Sequence, residues 1–394
     1  MEQNARKAVI VAYGRGPIAR AGKGSLKKEH PVTYAAEVLK GVLEKIPQLP
    51  LEQVEDVVVG CAKPEQLQGS NVGRIIAQRA GLADSVPGQT VNRFCASSLQ
   101  AIAAAANGII AEQADIMIAG GVEDMTIVPT GTRQEYRERW ISEHKPGIYM
   151  SMGITAENVA KHYDISREEM ELFALESHRK AAAAQDSGAF DKEIIPVNGR
   201  DEDGRAFLLT MDEGVRRGGT PEQLAKLTPC FIEDGRVTAA TSSPTSDGAA
   251  FVVMMSDAKA RELKIPPIAC IESFAVAGVP AEVMGLGPVE AVPKALLRAG
   301  ITADDLDVVE LNEAFAAQAI PCIRELRLKP EIVNPRGGAI ALGHPLGATG
   351  AILTCKALSY LEDTKKTYAL VSMCIGGGMG AAAVFRRCSQ EKEL

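Results

Sequence analysis

Four segments hold residue types that could carry nucleophilic or proton-transfer chemistry. In Val91-Asn-Arg-Phe-Cys95-Ala-Ser-Ser-Leu-Gln-Ala-Ile, a short apolar strand runs at once into a small-residue helix, which sets Cys95 at or near a helix N-terminus. Unpaired N–H groups and the positive end of the helix dipole favour an anion there, so the expectation is a lowered thiol pKa and a nucleophilic thiolate. The plain alternative is a small core residue, the usual fate of a free cysteine among Ala and Ser. In Gly338-Ala-Ile-Ala-Leu-Gly343-His344-Pro345-Leu-Gly-Ala-Thr-Gly350, the proline disfavours helix at His344 and puts the imidazole on the turn that opens the next helix. A histidine set among so many glycine, proline and small residues is a candidate functional group, although a lone histidine is more often structural. Ser372-Met-Cys374-Ile-Gly376-Gly-Gly-Met-Gly380 reads as a strand entering a glycine-rich bend whose bare N–H groups could face an oxyanion; Cys374 has the same bland alternative as Cys95. Asn312-Glu-Ala-Phe-Ala follows a strand directly and places an amide and a carboxylate at its carboxyl end, or else caps a helix.

The elements that must carry these groups alternate along the chain. Apolar runs predict buried strands over Ala8–Ala12, Asp56–Val59, Ile116–Ala119, Phe251–Met255, Val308–Leu311 and Tyr368–Ser372. Helical spacing covers Tyr34–Ile46, Ser97–Ile110, Val289–Ala299 and Thr349–Leu361, so the fold class is layered α/β. The two ends also match each other in order, at an offset of about 250 residues. Val57-Val-Val-Gly answers Val308-Val-Glu-Leu, Val91-Asn92 answers Val333-Asn334, and Ala114-Asp-Ile-Met-Ile-Ala-Gly-Gly answers Tyr368-Ala-Leu-Val-Ser-Met-Cys-Ile-Gly-Gly, which reads as a duplicated domain. Between the halves the strand signals fade and charge rises, as in an inserted loop region. Its helical stretch, Thr155–Ala184, contains Ser166 and Glu169 at capping-box spacing. The expected division is 1–121 with 246–270, an insertion over 122–245, and 271–394.

Composition narrows the function classes. The 394 residues carry 43 basic and 50 acidic side chains, net -7, without long runs of one sign, so neither nucleic acid nor a membrane surface is an expected partner. The eight cysteines (61, 95, 230, 270, 322, 355, 374, 388) form no C-x-x-C pair, which argues against a zinc site and a disulfide framework. The longest uncharged stretch, Phe94–Ala111, contains Cys, Ser, Gln and Asn and reads as a buried core helix rather than a span. The early apolar run is too short for a signal peptide and the closing Glu-Lys-Glu-Leu fits neither a retention nor a peroxisomal tripeptide, so the expected location is cytoplasmic.

Taken together, Asn-Arg-Phe-Cys95-Ala-Ser-Ser, Asn312-Glu-Ala-Phe-Ala, Gly343-His344-Pro-Leu-Gly-Ala-Thr-Gly and Cys374-Ile-Gly-Gly-Gly-Met-Gly resemble the thiolase family, over nearly the whole chain. The resemblance implies a duplicated α/β/α/β/α fold with five-stranded halves and an inserted loop domain covering coenzyme A. It implies that Cys95 attacks the 3-keto carbonyl of a 3-ketoacyl-CoA while His344 takes the thiol proton, and that Cys374 protonates the departing acetyl-CoA enolate. Asn312 would hold a water that, with His344, faces the enolate oxygen; the N–H groups of Cys95 and Gly376 would face the acyl oxygen. CoA, a co-substrate rather than a resident cofactor, would lie against Met152, Arg216, Phe231, Ser243, Ala314 and Phe315, with no metal. A homodimer or homotetramer is implied.

Two positions depart from common relatives. Ser151 stands where short-chain acetoacetyl-CoA thiolases tend to carry His, which resembles the degradative 3-ketoacyl-CoA branch, and Ser98 stands where many relatives have Gly. Rival readings are a biosynthetic acetoacetyl-CoA thiolase, a ketoacyl synthase (for which Cys374 is the wrong third residue) and an acyl-CoA-binding lipid carrier on the same scaffold.

Overall fold

The computed structural model describes residues 6–128 and 131–388; the closing residues 391–394 lie outside them. Its strands are β1 (Ala8–Arg15), β2 (Ala19–Arg20), β3 (Asp56–Gly60), β4 (Gln89–Val91), β5 (Ile116–Asp124), β6 (Val197–Arg200), β7 (Ala206–Leu209), β8 (Ser246–Ser256), β9 (Ala269–Gly278), β10 (Val308–Leu311), β11 (Tyr368–Ile375) and β12 (Met379–Arg387). Its α-helices are α1 (Pro31–Glu44), α2 (Val72–Arg79), α3 (Ser97–Ile110), α4 (Arg139–His144), α5 (Met152–His162), α6 (Arg167–Asp186), α7 (Pro221–Leu224), α8 (Asp257–Glu262), α9 (Gly287–Ala299), α10 (Ala316–Glu325), α11 (Ala339–Leu342) and α12 (Thr349–Thr364). Every strand and helix expected above overlaps an observed one.

The main sheet runs β10-β11-β12-β9-β1-β8-β5-β3-β4, with β2 on β8. Its two halves repeat one pattern. In the first, β4, β3 and β5 are parallel and β8 and β1 follow antiparallel. In the second, β10 and β11 are parallel and β12 and β9 follow antiparallel. The fifth strand of the second half is reduced to one parallel bridge, Val309 to Val333, in the place that the Gly60–Val91 pair holds in the first. A short antiparallel contact of Val9 and Ile10 with Cys270 and Ala269 joins the halves.

Five layers follow from which face each side chain buries. Val58, Val252, Val308 and Val371 point into a central core with α3 and α12. Val57, Val59 and Phe251 pack outward with α1 and α2, and Val309, Leu370 and Val384 pack outward beneath α9 and α10. Strands buried on both faces read as continuous apolar runs, which is why they were legible. Truncating Phe251, fully buried, to Ala would cost about 3–5 kcal/mol. The stretch Phe94–Ala111 supplies α3 of the central layer, and no helix of the described residues is long and apolar enough to cross a membrane.

Three local expectations need correcting. The stretch Thr155–Ala184 is two helices, α5 and α6, broken where Asp164 takes a left-handed φ of 47°. Ser166 does cap α6 by accepting the Glu169 N–H at 3.1 Å, but Glu169 does not close the box; its carboxylate pairs with Arg324 on α10. The insertion is not free of strands, since β6 and β7 form a separate antiparallel pair.

Candidate active site

Cys95 sits in a single 3-10 turn, Phe94–Ala96, directly ahead of α3. The turn is tightly specified. Phe94 holds φ at 44°, uncommon for a residue with a side chain, and its N–H is taken by Asn92 Oδ1 at 2.8 Å. Ser97 Oγ donates to the Phe94 carbonyl at 2.6 Å and accepts the Arg93 N–H at 2.9 Å. These bonds fix the turn that carries the half-buried Cys95, and the backbone N–H groups of Gly376 and of Cys95 itself are directed at its sulfur.

The expected drop in thiol pKa does not occur. Burial pushes the Cys95 thiol up to about 11, against the two N–H groups that favour the thiolate. In a site this enclosed, desolvation of the anion outweighs a helix end that lies one turn away. Cys95 therefore rests as a thiol, and to act as a nucleophile it would need a base.

His344 is the candidate. It is extended, bridged to Thr245, and leads through a 3-10 turn into α12, as its following proline requires. The buried imidazole is held down to a pKa of about 4 by desolvation, so it is neutral near pH 7. Thr349 Oγ1 gives its proton to the Pro345 carbonyl at 2.9 Å, so it accepts from His344 Nδ1–H at 2.7 Å. That leaves the lone pair on Nε2, which faces the Asn312 amide nitrogen at 3.3 Å. Asn312 is fully buried and does not cap α10, which starts at Ala316 after Phe315; its Oδ1 finds no partner among the described residues. Its backbone N–H is fixed to Ser372 O at 2.9 Å, which ties it to the strand carrying Cys374.

Cys374 pairs with Gly380 across β11 and β12 just before the bend in which Gly377 and Gly378 take φ of 82° and 87°. Its thiol is buried and pushed well above the usual range by desolvation, with Cys95 and Cys322 adding to the effect. Cys374 is therefore near enough to Cys95 to be shifted by its charge, and both thiols keep their protons at rest.

The predicted CoA contacts divide into two places. Met152, Phe231, Ala314 and Phe315 belong to one apolar cluster with Cys374. A Cβ on Gly376 would stand 3.4 Å from Met152 Sδ, the Phe231 and Phe315 rings meet edge-on at 6.0 Å, and Ser243 Oγ donates to the Ala314 carbonyl at 3.0 Å. Arg216 stands apart, lining a cavity of about 890 Å³ along α6 with His178, Arg179, Arg217 and Leu227. Its N–H is accepted by His178 Nδ1 at 3.1 Å, and burial with the Arg216 charge lowers His178 to about 4. None of Cys95, His344 or Cys374 lines that cavity.

Sequence reasoning missed Thr349, the residue that fixes the His344 tautomer, and Ser246, whose Oγ accepts the His344 N–H at 3.2 Å. A polar residue opening an apolar helix five positions after the histidine was the available signal for Thr349. Ser98 is not a packing defect: its Oγ accepts the Ala351 N–H at 2.9 Å and joins α3 to α12.

The chain matches the family model described as "Thiolase, N-terminal domain" over residues 8–258 and that described as "Thiolase, C-terminal domain" over residues 265–387. It is 47% identical over 391 residues to the 3-ketoacyl-CoA thiolase of Bacillus subtilis (strain 168), covering 97% of this chain and 100% of that protein. It is 45% identical over 384 residues to the peroxisomal 3-ketoacyl-CoA thiolase of Homo sapiens, covering 96% and 90%. Among solved structures, the Bacillus anthracis acetyl-CoA acetyltransferase superposes with a TM-score of 0.89 at 36% identity, covering 98% of this chain and 99% of that one.

Proposed function

The chain belongs to the thiolase family, and from that membership we propose how its residues divide the work of the reaction. It is an acetyl-CoA C-acyltransferase that cleaves 3-ketoacyl-CoA with CoA, giving acetyl-CoA and an acyl-CoA two carbons shorter. Cys95 Sγ attacks the 3-keto carbonyl as its proton passes to His344 Nε2. Collapse of the tetrahedral alkoxide breaks the carbon–carbon bond, leaves the acyl group on Cys95 as a thioester, and expels the acetyl-CoA enolate, whose carbon takes a proton from Cys374. A second CoA then attacks the thioester, with the Cys374 thiolate receiving its thiol proton, and Cys95 leaves as the thiolate that His344 reprotonates.

What supports this division is the Gly376 N–H directed at Cys95, a second thiol, Cys374, near enough to feel the Cys95 charge, and a neutral His344 with its lone pair on Nε2 beside Asn312, on a loop whose next turn, Leu346–Ala348, packs against the Phe94–Ala96 turn. The Gly376 and Cys95 N–H groups serve as the oxyanion hole for the acyl oxygen, and His344 with a water on Asn312 Oδ1 serves the enolate oxygen. CoA lies along Met152, Phe231, Ser243, Ala314 and Phe315, with its phosphates toward Arg216. No resident cofactor is assigned, because side chains account for every proton and bond. The insertion over 122–245 acts as the CoA-covering domain between halves 1–121 with 246–270 and 271–394.

The degradative direction, as in fatty-acid β-oxidation, is favoured by the names of the relatives at 44–47% identity and by Ser151; the acetyltransferase neighbour is more distant at 36%. A homodimer or homotetramer is supported by β4, which has a strand neighbour on one side only, with exposed Ile75 and Phe94 nearby in sequence. Cytoplasmic residence is supported by eight cysteines that are all unpaired. The deciding experiment is rapid quench with a 3-ketoacyl-CoA followed by mass spectrometry of peptides: an acyl group on Cys95 supports the mechanism, and its appearance elsewhere, or nowhere, refutes it. Steady-state rates across chain lengths test the direction, since activity confined to acetoacetyl-CoA would favour the condensing enzyme.

A further inference from the structure

Glu123, near the end of β5, is a buried carboxylate with an unusual set of partners. Its Oε2 accepts the N–H of Ala62 at 2.8 Å and of Gly347 at 2.7 Å; its Oε1 accepts from Gln68 Nε2 at 2.6 Å and Lys63 N–H at 3.2 Å, with the Cys61 thiol at 3.9 Å. Among the described residues no cation pairs with it: the Lys63 ammonium reaches the Gly131 carbonyl and Glu65 instead. Burying an uncompensated carboxylate is costly, and burial pushes this one up to about 7 despite its N–H donors. A neutral side chain would avoid that cost, but only a carboxylate offers acceptors on both oxygens for donors arriving from separate segments.

Those segments are the loop after β3, which braces the Cys95 turn, and the loop that carries His344. On one side, the Ala62 carbonyl takes the Asn92 side-chain N–H at 3.0 Å and the Cys61 N–H is bound to Val91 O at 3.0 Å; Asn92 in turn holds Phe94 in its left-handed turn, next to Cys95. On the other, Gly347 lies between His344 and Thr349, in a turn where Pro345 O takes both the Ala348 N–H and the Thr349 hydroxyl. The fit leaves no slack, since a Cβ at Gly347 would stand 2.6 Å from Glu123 Oε2 and from Ala62 N. From this geometry we infer that Glu123 is a positioning residue for thiolysis, a carboxylate clamp that fixes the Cys95 turn of the first half against the His344 loop of the second.

The inference rests on the assignment of Cys95 as nucleophile and His344 as its base. Glu123→Gln keeps size but offers one acceptor oxygen, so one pair of donors loses its partner. The expected result is a kcat reduced about 10- to 100-fold, the range for small misplacements of reacting groups, with KM for CoA changed less than about threefold. Alkylation of Cys95 by iodoacetamide in the free enzyme slows in parallel. Gly347→Ala, which pushes the same contact apart from the other side, gives the same split and decides the matter if Glu123→Gln does not fold.

Glu193→Gln is the control. That carboxylate is equally buried but pairs with Arg15 and makes no hydrogen bond to either loop, and its variant loses several degrees of Tm while retaining kcat. A folded Glu123→Gln or Gly347→Ala with wild-type kcat and alkylation rate overturns the clamp, as does an equal loss of kcat in Glu193→Gln, which would mark a general stability effect. If the wild-type enzyme yields no acyl-Cys95 on quenching, the underlying mechanism fails instead, so the two failures are distinguishable.

Discussion

Cys95 and Cys374 are the same side chain in two surroundings, one from each half of the duplication. Cys95 rides a strained turn outside the sheet, half-buried, with two backbone N–H groups aimed at its sulfur. Cys374 lies inside β11, paired to Gly380, sealed under Met152 and its apolar neighbours, and its thiol too is pushed up by burial. Neither is an activated thiolate at rest. In the proposed mechanism, approach and the placement of N–H donors therefore separate nucleophile from proton carrier, and acidity does not. The nucleophile must admit a carbonyl carbon and stabilise the oxygen that becomes charged, whereas the proton carrier has only to reach the leaving carbon and hold its proton until it is needed.

The comparison breaks most visibly at the nucleophile. Cys95→Ser is expected to lower kcat by at least about 10³-fold and to abolish the acyl-enzyme adduct; a detectable adduct on another residue in that variant would reverse the roles of the two thiols. Cys374→Ala should cost about 10²- to 10³-fold, the usual share of a general acid–base group, while still forming acyl-Cys95 when given a simple acyl-CoA. Loss of that adduct would mean that Cys374 is needed for attack as well as for departure.

Thr349→Val removes the acceptor that fixes Nδ1–H and leaves the cavity nearly isosteric. We expect about a 10-fold fall in kcat with KM little changed, because the wrong His344 tautomer then competes. An unchanged kcat would show that Asn312 alone sets the tautomer.

The smallest effect is on stability. His344 has a folded pKa of about 4 against 6.5 when exposed, so between these values the unfolded chain binds the extra proton and stability is lost as pH falls. Glu123, raised to about 7, runs the other way: the folded state binds the extra proton, and its unfavourable contribution grows as pH rises from 4.5 toward 7. Denaturant melts of wild type and His344→Asn at pH 7 and at pH 4.5 isolate the first term. The variant should gain on the order of 2 kcal/mol relative to wild type at the lower pH, and a gap that does not depend on pH would refute a neutral buried imidazole.

Strands such as β3 and β11 were legible because both of their faces are buried, leaving uninterrupted Val, Ile, Leu and Ala. β9 escaped because its burial alternates and Glu272 and Ser273 interrupt the run, and β12 because Gly380 and three alanines read as part of a bend. Periodicity located the helical face over Thr155–Ala184 but not the break at Asp164, since a single left-handed residue scarcely disturbs the spacing. At the site, Cys95, His344, Cys374 and Asn312 stood out within local motifs. Glu123 and Ser246 did not, because each acts by accepting backbone N–H groups from segments remote in sequence, and such bonds leave no spacing to read.

The amino-acid sequence alone determined the layered α/β class, the duplication, the turns on which the reactive groups ride and the family those turns resemble, because short-range backbone preferences and burial patterns are written residue by residue. Only the tertiary structure decided that the Cys95 thiol rests protonated, that His344 is neutral with its lone pair on Nε2, and that one carboxylate draws two distant loops together. A pKa and a convergent geometry are properties of everything packed around a group, and that surrounding comes into being only when the halves of the chain close on each other.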